Sequence, residues 1–226
     1  MLPLLPVWLA GFTAMGLIAL GNKHLVDQLL LDSNFINGAK WYAGIVTSLG
    51  TISWTAACVS ALWGAWLCRL GNRRAAGRFL WSGAALTAYV MADDLWQLHA
   101  DLLPRSLGLD KHVIELCIAL VTIVWIVRCL PEIRRTRWML LVASGGALAL
   151  SIIFDALPWY SNPRLELLLE DGAKLLGNLG WATYFVATAR DIGRSVFQEA
   201  RDSPPLSVIG QDFDPIAAGV TDESAR

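Results

Sequence analysis

Six apolar runs organise this 226-residue chain, at about 4–21, 42–68, 78–99, 112–130, 137–157 and 165–189. A bilayer core about 30 Å thick needs roughly 20 such residues per helix. Inside lipid, the backbone donors and acceptors must be satisfied within the segment, which an α-helix does. Charge, glycine or proline bounds each run, and Asn72, Pro104, Pro131 and Pro163 are expected to mark turns. Composition agrees: 16% of residues are charged and 55% hydrophobic, against about 25% charged in a soluble domain. The expected fold class is all-α, a polytopic membrane helical bundle of six transmembrane helices.

The connections set the orientation. Arg69, Arg73, Arg74 and Arg78 crowd the second connection without an acid, and Arg128, Arg134, Arg135 and Arg137 crowd the fourth against Glu132 alone. Positive connections stay cytoplasmic. Both termini are therefore expected inside, and the first, third and fifth connections outside. Trp41, Trp96 and Trp159 then fall at the outer boundary, with Trp66, Trp81, Trp125 and Trp138 near the inner one. Ala19-Leu20-Gly21 resembles a signal-peptidase site, but residues 1–21 carry no Lys or Arg, so they read as a span rather than a leader. The first connection (22–41) flanks an apolar patch with Lys23, Asp27, Asp32 and Lys40, which suits an interfacial helix. The expected layout is a membrane domain over 1–199 and a disordered cytoplasmic tail over 200–226. The expected location is a bacterial inner membrane.

Several function classes drop out. Net charge is −1, with no basic field to attract nucleic acid. Cys58, Cys68, Cys117 and Cys129 form no CxxC pair, so neither a disulfide framework nor a structural zinc site is expected. The motifs name no cofactor.

The stretch MADDLWQLH (91–99) ends an otherwise apolar run with two carboxylates and a histidine. At 100° per residue, Ser82, Tyr89 and Asp93 share one face, with Gln97 one turn on and Asp94 at its edge. Ser144, Ser151 and Asp155 repeat that spacing in the fifth run. Glu115 and Thr122 share a face of the fourth, with His112 one turn from Glu115. In the sixth, Glu166, Glu170, Lys174, Gly177, Trp181 and Tyr184 form a stripe, with Asp171 beside it. Thr47, Thr51, Trp54 and Cys58 lie along one side of the second.

The acids fall at one depth, in the outer third, on four different runs. Helix N-termini favour acids, which accounts for Glu115, Glu166 and Glu170 without a function. Asp93 and Asp94 stand near a helix C-terminus, where the dipole opposes them, and they repel each other. Lys174, a bound cation or a shared proton must compensate. His99 lies about 240° from Asp93 on a straight helix and joins the acids only if that helix frays or tightens near Leu98.

ADDLWQLH and LLLEDGAKLLGNLGWATYF resemble blocks in a group of uncharacterised bacterial multi-pass membrane proteins. The likeness spans most of 40–190 and rests on Asp93, Asp94, His99, Glu170, Asp171, Lys174, Gly177, Trp181 and Tyr184. Ala100 stands where that group would have an acid. The resemblance implies a family and no activity. A fainter likeness, to alkaline ceramidases and adiponectin receptors, would imply a zinc held by histidines. This chain lacks their HxxxH pair and offers only His24, His99 and His112.

The expected function is an integral membrane protein whose outer acidic site binds or transports a cation, a proton or a small molecule. Its candidate residues are Asp93, Asp94, Gln97, Glu115, Asp155, Glu170, Asp171 and Lys174, with His99 and His112 as weaker metal ligands. The lipid bilayer is the expected partner. Two other classes stand beside it: a structural or assembly protein in which these groups merely pair, and a membrane-embedded metal-dependent hydrolase acting on lipid-like substrates.

Overall fold

The computed structural model describes residues 4–21, 44–156 and 163–202. Within them the chain is helical: α1 (Leu4–Ala19), α2 (Ile45–Leu70), α3 (Arg74–Trp96), α4 (Lys111–Ile133), α5 (Trp138–Ala156) and α6 (Pro163–Asp202). A π-helical turn (Leu98–Leu102) and a short helix (Leu103–Leu107) join α3 to α4. The first connection, with His24 and Trp41, lies outside the described residues, as do Trp159 and the segment 203–226.

Three helices, α2, α4 and α5, are long and apolar enough to cross a membrane on their own. At 1.5 Å per residue, the 26 residues of α2 span about 39 Å. The described surface is far more apolar than that of a soluble domain, and several polar groups lie inside. Ser53, Thr87, Asp93, Ser144, Ser151, Asn178 and Thr188 are buried, while Val113, Leu116, Leu120, Val121, Val124 and Val127 on α4 are exposed. Lipid contact accounts for that distribution, and the fold is that of an integral membrane protein.

The hub is α6, 40 residues long, which packs against α1, α2 and α5. Its neighbours approach closely because the residues between them are small. A Cβ on Gly177 would fall 2.5 Å from Leu148 Cγ, and one on Gly180 would fall 2.9 Å from Ser144 Cβ. Ser144 Oγ also donates to the Gly177 carbonyl at 2.8 Å. On the opposite side, Trp8 Nε1 donates to the Leu176 carbonyl at 3.1 Å and ties α1 to the hub. The centre is aromatic: Trp54, Trp125, Trp181 and Phe185 meet edge-on or tilted.

Several expectations need correction. Trp125, expected near the inner boundary, turns its ring into the bundle rather than outward. It is buried against Phe79 and donates to Ser82 Oγ at 3.0 Å. Tyr89 does not share the interior face with Asp93; it is exposed, and Thr87 takes the interior position. Pro131 does not start the turn but sits within the last turn of α4, where its missing amide leaves the Val127 carbonyl without its helical donor. Pro163 opens α6, a position that tolerates proline because its amide would be unpaired anyway. Asn72 does mark a turn, with φ 52°.

Candidate functional site

The ends of α3 and α5 and the starts of α4 and α6 meet at one end of the bundle. Asp94 on α3 forms a close ion pair with Lys174 on α6. Trp54 of α2 donates its Nε1 hydrogen to Asp94 Oδ2 at 3.2 Å. The Asn178 side-chain oxygen also accepts from Trp54, at 3.3 Å, while its amide donates to the Lys174 carbonyl at 3.0 Å. Lys174 is thus held by its backbone as well as its charge.

Asp93 is compensated differently. Helix α3 ends at Trp96, and Gln97 turns left-handed with φ 49°. The chain then coils into the π-helical turn, which carries His99 back over the helix end. Its backbone N–H donates to Asp93 Oδ1 at 2.9 Å, and its Nδ1 donates to Oδ2 at 2.7 Å. A straight helix would have aimed His99 elsewhere; the break at Gln97 supplies the departure from regular helix near Leu98 that its joining the acids required. The two adjacent carboxylates therefore answer separate partners on separate elements. His99 lies beyond the helix, and its hydrogen bond to Asp93 raises the imidazole above its ordinary value despite the opposing effect of burial.

From His99 the network continues outward. His99 Nε2 stands 3.8 Å from Glu115 Oε1, and His112 Nδ1 lies 3.2 Å from Glu115 Oε2. Side-chain exposure is 8% at Asp93, 22% at His99, 15% at Glu115 and 52% at His112, so three half-buried or buried groups lead to an exposed one. The row therefore connects a buried carboxylate to the surface. Beside it, Lys111 Nζ donates to both oxygens of Asp155 on α5, at 3.0 and 2.8 Å. Glu170 faces Asp155, Lys174 and Lys111. Asp171 Oδ2 is buried without a hydrogen-bond partner among the described residues.

The structure thus gathers Asp93, Asp94, Glu115, Asp155, Glu170, Asp171 and Lys174 at one end, as their depth suggested. Gln97 caps α3 through its backbone, its N–H donating to the Asp93 carbonyl. Sequence reasoning missed Lys111 and Trp54 as members. Lys111 had a signal, since it sits one residue before His112 at the start of an outward-beginning helix. Of the compensations expected for the adjacent carboxylates, Lys174 pairs closely with Asp94 across the helix interface.

Chemically, the site has more carboxylates than lysines among the described residues, and one imidazole that holds its proton more tightly than usual. His112, Glu115 and Asp155 each offer a ligand atom within 4.8 Å of the others. A metal ion there would have to displace the Lys111 ammonium from Asp155. Among the described residues, His112 is the one histidine in that set.

Fold and site together define a helical membrane protein with a charged cluster enclosed at one end of the bundle. The chain belongs to the family described as Domain of unknown function (DUF8692), whose model matches residues 4–188. No curated protein and no solved structure matches the chain.

Proposed function

We propose that this protein is a six-span membrane protein, both termini cytoplasmic, whose outward-facing site binds a small cation in exchange for a proton. The inner membrane of a bacterium is the location that fits the arginine asymmetry, with 1–199 as the membrane domain and 200–226 as a cytoplasmic tail. By their polar stripes α3 and α6 are less apolar than α2, α4 and α5, and those stripes turn inward toward the site, so both helices suit a span. Asp191 pairs with Arg137, and Arg73 reaches Ser195 and Glu199. The second and fourth connections thus share one end with the last turns of α6, which supports assigning both to the same side.

One observation carries the functional reading. Among the described residues, Asp93, Asp94, Glu115, Asp155, Glu170 and Asp171 converge on two lysines, Lys111 and Lys174. Ionisable groups inside membrane helices are costly and mark ion or proton pathways. The surplus negative charge attracts a cation, and the Asp93–His99–Glu115–His112 row gives a proton a way out.

The test uses purified protein in weakly buffered detergent near neutral pH, with a pH-indicator dye. Sodium, potassium, magnesium and tetraphenylphosphonium are added in turn. Proton release on adding one of them, abolished in Asp93→Asn, supports the reading. If none releases a proton and Asp93→Asn changes only the melting temperature, the cluster is a structural clasp and the reading fails.

A further inference from the structure

A second site lies at the opposite end, where α2 leaves the bundle and α3 enters it. The hairpin is tight: a Cβ on Gly77 would meet Cys68 Cβ at 3.3 Å. Above this close approach the helices open into a groove of about 860 Å³ lined by Leu62, Trp66, Arg69, Arg74, Arg78 and Trp81, among others. That volume lies within the roughly 300–1,000 Å³ range of small-molecule sites.

The groove is chemically two-sided. Leu62, Trp66 and Arg69 follow one another at i, i+4, i+7 along α2, and Arg74, Arg78 and Trp81 at i, i+4, i+7 along α3. Each helix therefore runs from guanidinium at the hairpin to an apolar or indole surface deeper in. Arg73 also lines the groove, but it is engaged by Ser195 and Glu199. Arg69, Arg74 and Arg78 are exposed and make no ion pair with a described residue, and no acid lines the groove. The α3 N-terminus adds to the field, with neither a side-chain cap nor an acid in its first turn.

We infer that this groove binds an anionic phospholipid, its phosphate among Arg69, Arg74 and Arg78 and an acyl chain against Leu62, Trp66 and Trp81. Arginine suits a phosphate through its planar fork of donors. Exposed Trp66 and Trp81 stand where indoles prefer to sit, at the level of lipid headgroups. A free phosphate would use the arginines alone and leave the apolar wall without a role. A zwitterionic lipid would bring a cationic amine into a groove that has no acid to receive it. This inference rests on membrane insertion and is independent of the acidic site.

The full-length protein is purified, delipidated in detergent and titrated with short-chain phosphatidylglycerol, phosphatidylcholine or inorganic phosphate, with bound molecules counted by native mass spectrometry. Phosphatidylglycerol is expected to be retained and the other two not. Each of Arg69→Gln, Arg74→Gln and Arg78→Gln should weaken retention roughly fivefold. Trp66→Ala should weaken it with the arginines intact, whereas Arg134→Gln should leave it unchanged. Equal retention of phosphatidylcholine, binding of inorganic phosphate alone, or indifference to all three groove arginines would overturn the inference. Should combined arginine variants fail to fold, the single variants and Trp66→Ala still decide it. Asp93→Asn should bind phosphatidylglycerol normally, so failure of the acidic-site reading would leave this result standing.

Discussion

The two ends of the bundle handle charge in opposite ways. At the acidic end, the charged groups lie between helices and are matched in place: Asp94 by Lys174, Asp93 by His99, Asp155 by Lys111. At the arginine end, Arg73, Arg135 and Arg137 have acidic partners, but Arg69, Arg74 and Arg78 are exposed and make no ion pair with a described residue. Matched enclosed charge is coupled to packing, so altering it disturbs the fold. Outward charge is coupled to whatever surrounds the protein, so altering it should leave the fold intact. Substitutions at the two ends should therefore differ in kind.

Lys174→Met should show the largest effect. It leaves Asp94 without its counter-charge while Asp171 remains enclosed nearby; with the Lys174 side chain 39% exposed, the cost stays below the roughly 3–5 kcal/mol of a fully buried pair. Unfolding in detergent should reveal the loss, and Asp94→Asn in the same chain should recover most of it. If Lys174→Met costs no more than a surface change, the contrast between the ends collapses. Next in size is Gly177→Ala, whose methyl would press on Leu148 and its backbone nitrogen. Overpacking of this kind costs about 1–3 kcal/mol. It should also shift α5 and loosen Lys111 from Asp155, which cysteine crosslinking between positions 111 and 155 can report.

A subtler effect is expected from pH. The folded protein holds the His99 proton more tightly than the unfolded chain, whose imidazole titrates near 6.5. The dyad's stabilisation is therefore complete below that pH and is lost as pH rises through the folded value. Melting temperature followed across this range should fall for the natural chain and flatten for His99→Gln. An unchanged slope in that variant would mean that another group titrates. The smallest effect belongs to Arg135→Gln at the other end. Its exposed pair with Glu132 is worth at most about 0.5 kcal/mol, so a larger loss would show that the arginine end is not the loosely coupled one.

The amino-acid pattern revealed much of this and concealed the rest for definite reasons. Length and hydropathy were enough to locate the helices, because a membrane helix must be continuous. Shared depth was enough to bring acids from four helices to one level. What escaped depended on backbone detail or distant partners. His99 joined through one left-handed residue at Gln97, which no periodicity encodes. Trp54 reached Asp94 from a helix that carried no acid. Trp125 looked like a boundary indole because sequence depth does not say which way a ring faces. Helix α6 runs to Asp202, well past the apolar run that ends near 189, because Arg190, Asp191, Arg194 and Glu199 suit a solvated helix that no hydropathy pattern marks.

The unbroken length of α6 has a mechanical consequence. Lys174 and Glu199 ride on one rod, separated by about 38 Å along its axis. Each degree of tilt pivoting at Lys174 sweeps Glu199 sideways by roughly 0.7 Å at that radius, against a close clasp with Arg73. Charge at the two ends is insulated by the aromatic middle, but leverage is not. Anything that re-seats Lys174 must therefore strain or release that distant clasp.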